Sequence, residues 1–473
     1  MTARPPQLEP SLIVIFGITG DLAQRSLLPA LYHLIKDGLL PEQTEIVGVT
    51  RQAVSAEDLL NRTELCINEA DGVCDPAALQ QMHARTRLLQ MDLTNEADYV
   101  RLLELLNAIE VEKGVCLNRL YYLSIPPQVY GPIVNLLGRA GLNASCQHGK
   151  AMTRLLIEKP FGYDQTSAQQ LIHDTGQVFG EEQLYRIDHY LAKETVQNIL
   201  TFRFENPIFE SIWNQQHIEQ IDISASEEIG IEGRALFYEP LGALRDFIQS
   251  HLLQLLAIVT MDQPTSLDSE HIHQVKHALL QQVQATQPDA VSQNARRGQY
   301  ASYREEVGNP ASMTETFAAI RVQINSDRWR EVPIVLWSGK ALAERKTEIS
   351  VTFKEPYHTA NNVLRFRIQP REGIELDLLA KQPGYDTQLQ TAAMDFSYEQ
   401  HFVDHGHPNA YERVLVDAVR GDHTLFATGP EVLEAWRIVQ PTIEAWQKGS
   451  DDLQIYQSGT PGSALLDNLG NAG

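Results

Sequence analysis

The sequence predicts two domains of different class: an α/β domain with a doubly wound parallel sheet, then an α+β domain with a large mixed or antiparallel sheet. In the first part of the chain, short apolar runs alternate with helical stretches, which is typical of a parallel sheet covered by helices. After about residue 184 the apolar runs lengthen or alternate, and few helices separate them. A chain of 473 residues has room for both domains. The predicted domains are residues 1–185 and 186–473.

The first predicted domain is built from short buried strands with helices between them. Within residues 21–38, leucine and isoleucine recur near helical spacing, which predicts a helix. Pro29 lies inside this stretch and should interrupt the helix, because proline has no N–H to donate and its ring crowds the preceding turn. A further helix is predicted over residues 96–106. The predicted strands are residues 11–17, 45–49, 87–89, 119–124 and 154–157.

The second predicted domain has a different strand pattern. Its longer or alternating apolar runs favour a mixed or antiparallel sheet, with helices packed on one face. Residues 261–298 are rich in Gln and His and are predicted to form a polar helix followed by a connector. The predicted strands are residues 220–224, 318–324, 348–353 and 363–369.

Composition narrows the classes of function. The 38 basic and 61 acidic residues give a net charge of −23, which repels nucleic acid and anionic membranes, so we expect neither as a partner. An anionic small molecule would need a local cluster of cations. No apolar run is long enough to span a bilayer, and no segment reads as a signal peptide. These observations predict a soluble, cytoplasmic protein in which the four cysteines are reduced.

The end of the first predicted strand carries a glycine pattern. A strand that ends in Gly17 and leads into a helix at Asp21 can hold a pyrophosphate on backbone N–H groups at the helix N-terminus. Gly17, Gly20 and Ala23 follow a GxxGxxA spacing instead of the commoner GxGxxG, so an ordinary tight turn is the alternative. The preceding strand and the following helix favour a Rossmann-like dinucleotide site.

The end of the second predicted strand distinguishes the two nicotinamide cofactors. A carboxylate at this place accepts a hydrogen bond from the ribose of NAD, whereas an arginine pairs with the 2′-phosphate of NADP. The chain has GVTRQ at residues 48–52, with Arg51 and no acidic residue. We therefore predict NADP as the cofactor and Arg51 as the ligand of its 2′-phosphate; a solvated Arg51 is the alternative.

Two polar segments could act on an anionic substrate. In RIDHYLAKE, a helix start would place His189, Tyr190 and Lys193 within about one turn, where they could donate to a phosphate. RDFIQSH ends in His251, an imidazole that becomes a general base when a carboxylate holds its tautomer. Asp188 is the candidate carboxylate. A solvated, charged helix start is the alternative for the first segment.

Together these segments resemble the signature stretches of the glucose-6-phosphate dehydrogenase family, and the resemblance covers nearly the whole chain in the family's order. It implies a Rossmann-like coenzyme domain that binds NADP, then an α+β domain that binds the substrate and forms a homo-oligomer, either a dimer or a tetramer. The matching stretches are VIFGITGDLA (14–23), EKPFG (158–162), RIDHYLAKE (186–194), RDFIQSH (245–251), VPI (332–334), GK (339–340), FRIQP (366–370) and AYER (410–413).

The resemblance implies a reaction. The family oxidises C1 of glucose 6-phosphate to 6-phosphoglucono-1,5-lactone and transfers hydride to NADP, as the first step of the oxidative pentose phosphate pathway. His251 is implied as the base that takes the hydroxyl proton, and Asp188 as its carboxylate partner. No metal is expected, because the nicotinamide carries the redox chemistry and the 15 histidines show no metal-ligand pattern.

The resemblance also implies the ligands of substrate and cofactor. Gln369 is a further, weaker candidate, and the bond between Lys159 and Pro160 is implied to be cis. The implied phosphate ligands are His189, Tyr190 and Lys193. The other implied substrate ligands are Lys159, Glu227, Asp246, Lys340 and Arg345. The implied cofactor ligands are Gly17, Gly20, Asp21, Leu22, Arg51 and Lys159.

A few positions depart from the family pattern. Ser26 stands where a lysine is usual, and Gln24 stands where a basic residue is common. Ala192 replaces a glycine and Ser250 an asparagine. These departures leave two alternatives to the family's own activity: a paralogue with changed sugar-phosphate or cofactor specificity, and a catalytically weak regulatory subunit. The retained carboxylate and imidazole of the catalytic pair favour an enzyme.

Overall fold

The computed structural model describes residues 8–71, 73–145, 151–355, 360–402, 408–449, 452–467 and 469, apart from the side chains of residues 66 and 69–71. Two π-helical segments, Ala23–Leu27 and Leu244–Leu252, accompany the α-helices. The strands are β1 (Ser11–Phe16), β2 (Glu45–Thr50), β3 (Thr86–Gln90), β4 (Asn118–Leu123), β5 (Thr153–Ile157), β6 (Leu184–Ile187), β7 (Ile218–Ser226), β8 (Val283–Gln284), β9 (Ala295–Tyr300), β10 (Phe317–Ile324), β11 (Ile334–Gly339), β12 (Lys346–Phe353), β13 (Val363–Gln369), β14 (Gly373–Lys381), β15 (Leu389–Ser397), β16 (Phe426–Ala427) and β17 (Leu453–Tyr456).

The α-helices range from single turns to the long helix that follows β16. They are α1 (Leu28–Lys36), α2 (Ala56–Asp71), α3 (Pro76–Ala84), α4 (Glu96–Lys113), α5 (Tyr130–Arg139), α6 (Gln165–Gly176), α7 (Glu194–Phe204), α8 (Pro207–Glu210), α9 (Ala235–Tyr238), α10 (Leu253–Thr260), α11 (Ser269–Gln282), α12 (Val291–Asn294), α13 (Tyr303–Glu306), α14 (Tyr398–His401), α15 (Ala410–Arg420) and α16 (Gly429–Gln447).

The chain forms two compact units. The first consists of Met1–Gly162, Thr166–His189 and His407–Gly429. Its sheet has the order β16-β6-β5-β4-β1-β2-β3, and all neighbours are parallel except β16, which runs antiparallel to β6. Every residue of β1, β2 and β4 is buried, as expected when helices cover both faces. The order β3-β2-β1-β4-β5-β6 confirms the predicted Rossmann-like α/β class.

The predicted interruption at Pro29 is also present. Helical structure before this proline takes the form of the π-helical segment Ala23–Leu27, and α1 begins at Leu28. Pro29 has no N–H for the carbonyl four residues earlier, that of Arg25, so a regular α-helical ladder cannot run through this point.

The second unit consists of Tyr163–Gln165, Tyr190–Gly406 and Pro430–Gly473. Its sheet has the order β15-β14-β13-β12-β7-β11-β10-β9-β17, and β8 pairs with β10. The pairs β7/β11 and β9/β17 are parallel and the others antiparallel, which confirms the predicted large mixed sheet. The π-helical segment Leu244–Leu252 packs against β7, β10 and β11. The domain boundary after residue 185 stays a prediction.

The prediction for residues 261–298 is wrong at the end of this segment. Residues 261–298 contain the helix α11, as predicted, but they also contain the start of strand β9. Two arginines hid this strand from the apolar pattern. Arg297 is almost fully buried, and its Nε donates to Asp452 over 2.8 Å, while Arg296 donates to the carbonyl of Ser292 over 2.7 Å. A guanidinium whose hydrogen bonds are satisfied can occupy a buried strand.

The structure bears on two further expectations, that the cysteines are reduced and that no segment spans a membrane. Cys116 is disulfide-bonded, so the expectation of four reduced thiols is wrong for this residue. Cys74 is free and buried, whereas Cys146 and the side chain of Cys66 lie outside the described part of the protein. Among the described residues, no helix combines the length and the apolar character that crossing a membrane requires.

Candidate active site

A cleft of about 520 Å³ lies at the carboxyl ends of the parallel strands of the first unit. This edge is where doubly wound sheets bind their ligands. The lining residues end or follow β2, follow β1, β3 and β4, or belong to the start of α5. They are Gly17, Thr19, Gly20, Val49, Thr50, Arg51, Gln52, Asp92, Leu93, Thr94, Ser124, Ile125, Pro126, Val129, Pro132 and Ile133.

The two glycines after β1 allow a close backbone approach at this cleft. Gly17 has a φ of 78°, and a side chain there would collide with the carbonyl of Ser124. The N–H of Gly20 donates to the carbonyl of Gly17 over 2.8 Å. Only glycine combines this conformation with this closeness, so the turn brings bare backbone to the cleft wall. The carboxylate of Asp21 forms an exposed ion pair with Arg25 over 2.7 Å. The part that Asp21 and Leu22 could play as the implied cofactor ligands therefore falls to their backbone N–H groups.

Arg51 follows β2 in the wall of the cleft and is exposed. The hydroxyl of the preceding Thr50 lies 3.4 Å from that of Thr19, which links the end of β2 to the turn after β1. Asp92 lines the same cleft, and hydrogen bonds from the backbone and the hydroxyl of Thr94 lower the pKa of its carboxyl. The position directly after β2 therefore presents a guanidinium and no carboxylate, which fits a 2′-phosphate.

A second group of side chains, also in the first unit, surrounds Glu158 directly after β5. One carboxylate oxygen of Glu158 accepts a hydrogen bond from the hydroxyl of Tyr122 on β4. The other lies 3.2 Å from Nε2 of His189. Burial alone would raise the pKa of Glu158, but attraction to His189 and the hydrogen bonds from His189 and Tyr122 outweigh burial and lower the pKa. The carboxylate of Glu158, whose side chain is only 13% exposed, therefore favours its ionised form.

His189 is held on its other side by an aromatic ring. The ring of Tyr411 on α15 lies 4.2 Å from the imidazole between centroids, at an interplanar angle of 41°. Burial raises the pKa of Tyr411, and the hydroxyl of Ser26 partly opposes this shift, so the serine that replaces the family's usual lysine lies near this ring. Nδ1 of His189 is buried and has no hydrogen-bond partner among the described residues.

Lys159 and Asp188 complete the first unit's share of the predicted site. The bond between Lys159 and Pro160 is cis, as the resemblance implies. Asp188 follows β6 and is only 3% exposed, so its carboxylate needs polar partners. Asp188 belongs to the first unit and His251 to the second, and their pairing stays a prediction.

In the second unit, His251 lies in the π-helical segment Leu244–Leu252 and is 3% exposed. Its ring contacts Tyr190 at 4.6 Å and Phe247 at 5.4 Å between centroids. The hydroxyl of Tyr190 accepts a hydrogen bond from Gln369 over 3.0 Å, and Gln369 also donates to Thr347 over 3.0 Å. The structure thus brings Tyr190, His251 and the weaker candidate Gln369 together: ring contacts join His251 to Tyr190, and a hydrogen bond joins Tyr190 to Gln369.

Glu227 and Lys340 form an ion pair. Glu227 directly follows β7 and Lys340 directly follows β11, and the last residues of these strands, Ser226 and Gly339, are register partners in a parallel pair. Parallel strands that end in register place the next residues side by side. Nζ of Lys340 also lies 5.3 Å from the ring centroid of Tyr238. Two of the implied sugar ligands are therefore neighbours with opposite charge.

Lys193, Asp246 and Arg345 are less tightly linked to these clusters. Lys193 is the N-cap residue of α7 and lies 3.8 Å from Glu372. Arg345 is exposed. The backbone carbonyl of Asp246 accepts a hydrogen bond from Ser250 over 2.5 Å, so the serine that replaces an asparagine bonds back to its own helix.

The other two departures from the family pattern also lie in buried or bonded positions. Gln24 donates to the carbonyl of Ile18 over 3.2 Å, so it supports the glycine turn after β1. Ala192 is 5% exposed, and its carbonyl accepts a hydrogen bond from Gln197 over 3.1 Å. The bond of Gln24 is made by its side-chain amide, whereas the bond to Ala192 is accepted by the backbone and does not depend on the residue type.

Two family models match the chain in tandem. The NAD binding domain of glucose-6-phosphate dehydrogenase matches residues 14–198, and the C-terminal domain of the same enzyme matches residues 200–472. The chain belongs to the glucose-6-phosphate dehydrogenase family. A member named glucose-6-phosphate 1-dehydrogenase, from Chlamydia pneumoniae, is 40% identical to it over 98% of this chain and 95% of the relative.

Solved structures of the glucose-6-phosphate dehydrogenase family agree with this assignment. A glucose-6-phosphate dehydrogenase in complex with its substrate glucose 6-phosphate superposes with a TM-score of 0.91 at 32% identity, over 99% of each chain. The glucose-6-phosphate 1-dehydrogenase of Mycobacterium avium superposes with a TM-score of 0.82 at 33% identity, over 97% of each chain. The recognised family and fold class are both confirmed.

Sequence reasoning missed the partners of His189. Glu158 was part of the matched EKPFG stretch but had no assigned role, and Tyr122 was read only as part of a strand. Tyr411 was part of the AYER stretch. The only local signal was a glutamate directly after an apolar strand, where a buried carboxylate needs a hydrogen-bonded partner. The identity of that partner depends on residues far apart in the chain.

Proposed function

We propose that this protein oxidises C1 of glucose 6-phosphate to 6-phosphoglucono-1,5-lactone with NADP as the hydride acceptor. The observation that carries the proposal is the cluster around His251, a buried imidazole fixed in a π-helical segment against Tyr190, in a chain of the glucose-6-phosphate dehydrogenase family. An imidazole held in one orientation is suited to accept a proton from a sugar hydroxyl. The enzyme would supply the first step of the oxidative pentose phosphate pathway.

In the proposed reaction, the imidazole of His251 takes the proton of the C1 hydroxyl as hydride leaves C1. Asp188 is proposed to stabilise the imidazolium that forms and to hold the ring in the tautomer that can accept the proton. Tyr190 and Phe247 pack on the ring and limit its rotation. The bound nicotinamide supplies the hydride-accepting carbon.

The anionic end of the substrate is proposed to bind His189, Tyr190 and Lys193. Imidazole, phenol and ammonium groups are all donors, and hydrogen bonds from charged donors to phosphate are strong. Lys159, Glu227, Asp246, Lys340 and Arg345 are proposed for the rest of the sugar. The ion pair of Glu227 and Lys340 offers an acceptor and a donor side by side, which suits adjacent sugar hydroxyls.

The cofactor proposal rests on the cleft of the first unit. Its glycine turn leaves bare backbone at the wall where a side chain would collide with Ser124, which fits a pyrophosphate. Arg51 supports NADP over NAD, because a guanidinium pairs with the 2′-phosphate that only NADP carries. Gly17, Gly20, Asp21, Leu22 and Lys159 are proposed as the remaining contacts.

The direct test is the initial rate of NADPH formation by the purified protein with glucose 6-phosphate. NAD and non-phosphorylated glucose are run in parallel. Fast turnover that requires both the phosphate and NADP would support the proposal. A folded protein that is inactive with glucose 6-phosphate but active with another sugar phosphate would favour the paralogue with changed specificity. In that case Ser26→Lys, which restores the lysine usual in the family, is the first variant to test. A protein inactive with every sugar phosphate would favour the regulatory subunit.

We also propose a cytoplasmic location, where such a reaction would find its substrate, and a homo-oligomer, either a dimer or a tetramer, as the family resemblance implies. Size-exclusion chromatography with light scattering measures the second point directly.

A further inference from the structure

Glu158 has both carboxylate oxygens committed to side chains of neighbouring elements. The hydroxyl of Tyr122 donates to one oxygen, and Nε2 of His189 lies 3.2 Å from the other. Tyr130 also donates to the backbone carbonyl of Glu158 over 3.3 Å. The glutamate side chain is 13% exposed and the histidine side chain 22%. The carboxylate is thus fixed in place before any ligand binds.

A carboxylate fixed in this way determines which nitrogen of His189 carries the proton. A carboxylate only accepts, so the nitrogen that faces it must be Nε2–H, because the hydrogen bond on one ring nitrogen sets the state of the other. Nδ1 is then the nitrogen left for a ligand. It is buried and has no partner among the described residues, and buried polar atoms normally have one.

We propose that Glu158 is a positioning residue, which fixes Nε2–H of His189 and directs Nδ1 toward the phosphate of the substrate. This inference rests on the proposed function, in which His189 binds that phosphate. Glu158, directly after β5, and the ring of Tyr411 on α15 face the imidazole, while Tyr122 on β4 and Lys159 act on Glu158. The Tyr411 ring, at 4.2 Å, keeps the imidazole from turning over.

The position of Glu158 also explains how a carboxylate can lie near a phosphate site. A bare carboxylate would repel the phosphate, whereas the imidazole of His189 would lie between this carboxylate and the proposed phosphate. When the imidazole is cationic, its Nδ1–H donates to a phosphate oxygen. Glu158 therefore acts through His189 and does not touch the substrate.

The test uses the full chain labelled with 15N-histidine, and Glu158→Gln as the main variant, because glutamine keeps the shape but loses the charge. The His189 signals are assigned by their loss in His189→Asn. We expect wild-type Nε2 to stay protonated across the titration while Nδ1 gains and loses its proton. In Glu158→Gln the Nε2 proton is no longer fixed, and the KM for glucose 6-phosphate rises about tenfold, the loss of one charge-assisted hydrogen bond. kcat changes less, because the phosphate is bound alike in ground and transition states.

Tyr122→Phe serves as the matched variant. It removes the donor to the other oxygen of Glu158 but leaves the pair with His189, so we expect the Nε2 proton to stay and KM to rise less than in Glu158→Gln. The proposal is wrong if both variants lower the Tm equally while the His189 signals and the KM stay as in the wild type. Glu158 would then be only a structural residue. A wild-type signal with the proton on Nδ1 alone would also overturn it.

The 15N spectra and the kinetic measurements together distinguish a failure of this proposal from a failure of the proposed function. The 15N signals of the ligand-free protein report on Glu158 and His189 whether or not glucose 6-phosphate is oxidised. Absence of turnover in the wild type would reject the proposed function, while a fixed Nε2 proton that Glu158→Gln releases would still support the pairing. Normal turnover with an unchanged KM in Glu158→Gln would reject the positioning role.

Discussion

Nζ of Lys276 on α11 donates to Glu431 on α16 over 3.0 Å, and both side chains are fully buried. The second oxygen of Glu431 lies 2.8 Å from Nδ1 of His273. Removing one member of a buried ion pair leaves an uncompensated charge. The second unit is therefore stable only when both charges of this pair are present or both are absent, because a single buried charge would be costly.

We expect Lys276→Met to lower the free energy of unfolding by about 3–5 kcal/mol. Urea denaturation measures this change. The double variant Lys276→Met/Glu431→Leu should recover most of the loss, because it removes both charges. Arg330→Met is the control, since Arg330 and Asp327 form an exposed pair that should contribute little. A double variant no more stable than the single one would contradict this account.

The same pair predicts a dependence of stability on pH. Burial alone would raise the pKa of Glu431, but Lys276 and His273 outweigh burial and hold it below its ordinary value of 4.5. A carboxyl whose pKa is lower in the folded state stabilises the fold above its unfolded-state pKa, and this contribution is lost as the pH falls toward the folded-state pKa. The difference in unfolding free energy between wild type and Glu431→Gln should therefore shrink as the pH falls from about 4.5 to about 2, the ordinary and the folded-state pKa of this carboxyl. A constant difference would show that the charge of Glu431 is not responsible.

His251→Asn should lower kcat by about a hundredfold to ten-thousandfold, the usual contribution of a general base, and change the KM for glucose 6-phosphate far less. The reason is that asparagine fills similar space but cannot take the proton. Steady-state kinetics with NADP measures both constants. His271→Asn is the matched control, because His271 lies partly exposed on α11 and pairs with Asp268. Near-normal turnover in His251→Asn would remove His251 as the base.

Lys193→Ala should raise the KM for glucose 6-phosphate by about ten- to a hundredfold, the loss of a charge-assisted hydrogen bond, and should leave the weak activity with free glucose nearly unchanged. The ammonium can act only on a substrate that carries the phosphate. Lys354→Ala, which removes an exposed lysine bonded to the carbonyl of Gln215, is the control. Equal losses with both sugars would mean that Lys193 is not a phosphate ligand.

Arg51→Ala should lower kcat/KM with NADP by about ten- to a hundredfold and leave kcat/KM with NAD close to its original value. Only NADP has the 2′-phosphate that the guanidinium would bind. Arg62→Ala, on the exposed surface of α2, controls for the loss of one positive charge. A parallel fall with both cofactors would place Arg51 elsewhere than at the 2′-phosphate.

The sequence predicted those parts of the fold that depend on local pattern. The strands β1 to β5 contain short apolar runs and were predicted, whereas β6 and β16 were not. Pro29 marked the interruption before α1 because its effect is local. Strand β9 was missed because its buried Arg297 is satisfied by Asp452, a residue more than a hundred positions away. The disulfide of Cys116 was missed because the number of cysteines in a sequence does not show which of them lie close together in the fold.

The candidate site divides in the same way. The place of Gly17 and Arg51 in the cleft wall could be predicted, because strand ends in a doubly wound sheet have a fixed relation to the ligand edge. The pair of Glu227 and Lys340 could be named only from family resemblance, since their contact depends on the register of β7 and β11. The contact between Glu158 and His189 joins residues that follow β5 and β6, and nothing in either segment alone indicates it.

The two-residue strand β16 closes one edge of the first unit's sheet against β6. Roughly 240 residues separate these strands in the chain, and the larger part of the second unit, Tyr190–Gly406, lies between them. A ribosome adding roughly 5–20 residues per second needs roughly 10–50 seconds to cover that distance. During translation the edge of β6 therefore stays open to other chains, and the part of the protein that is made first is among the last to be finished.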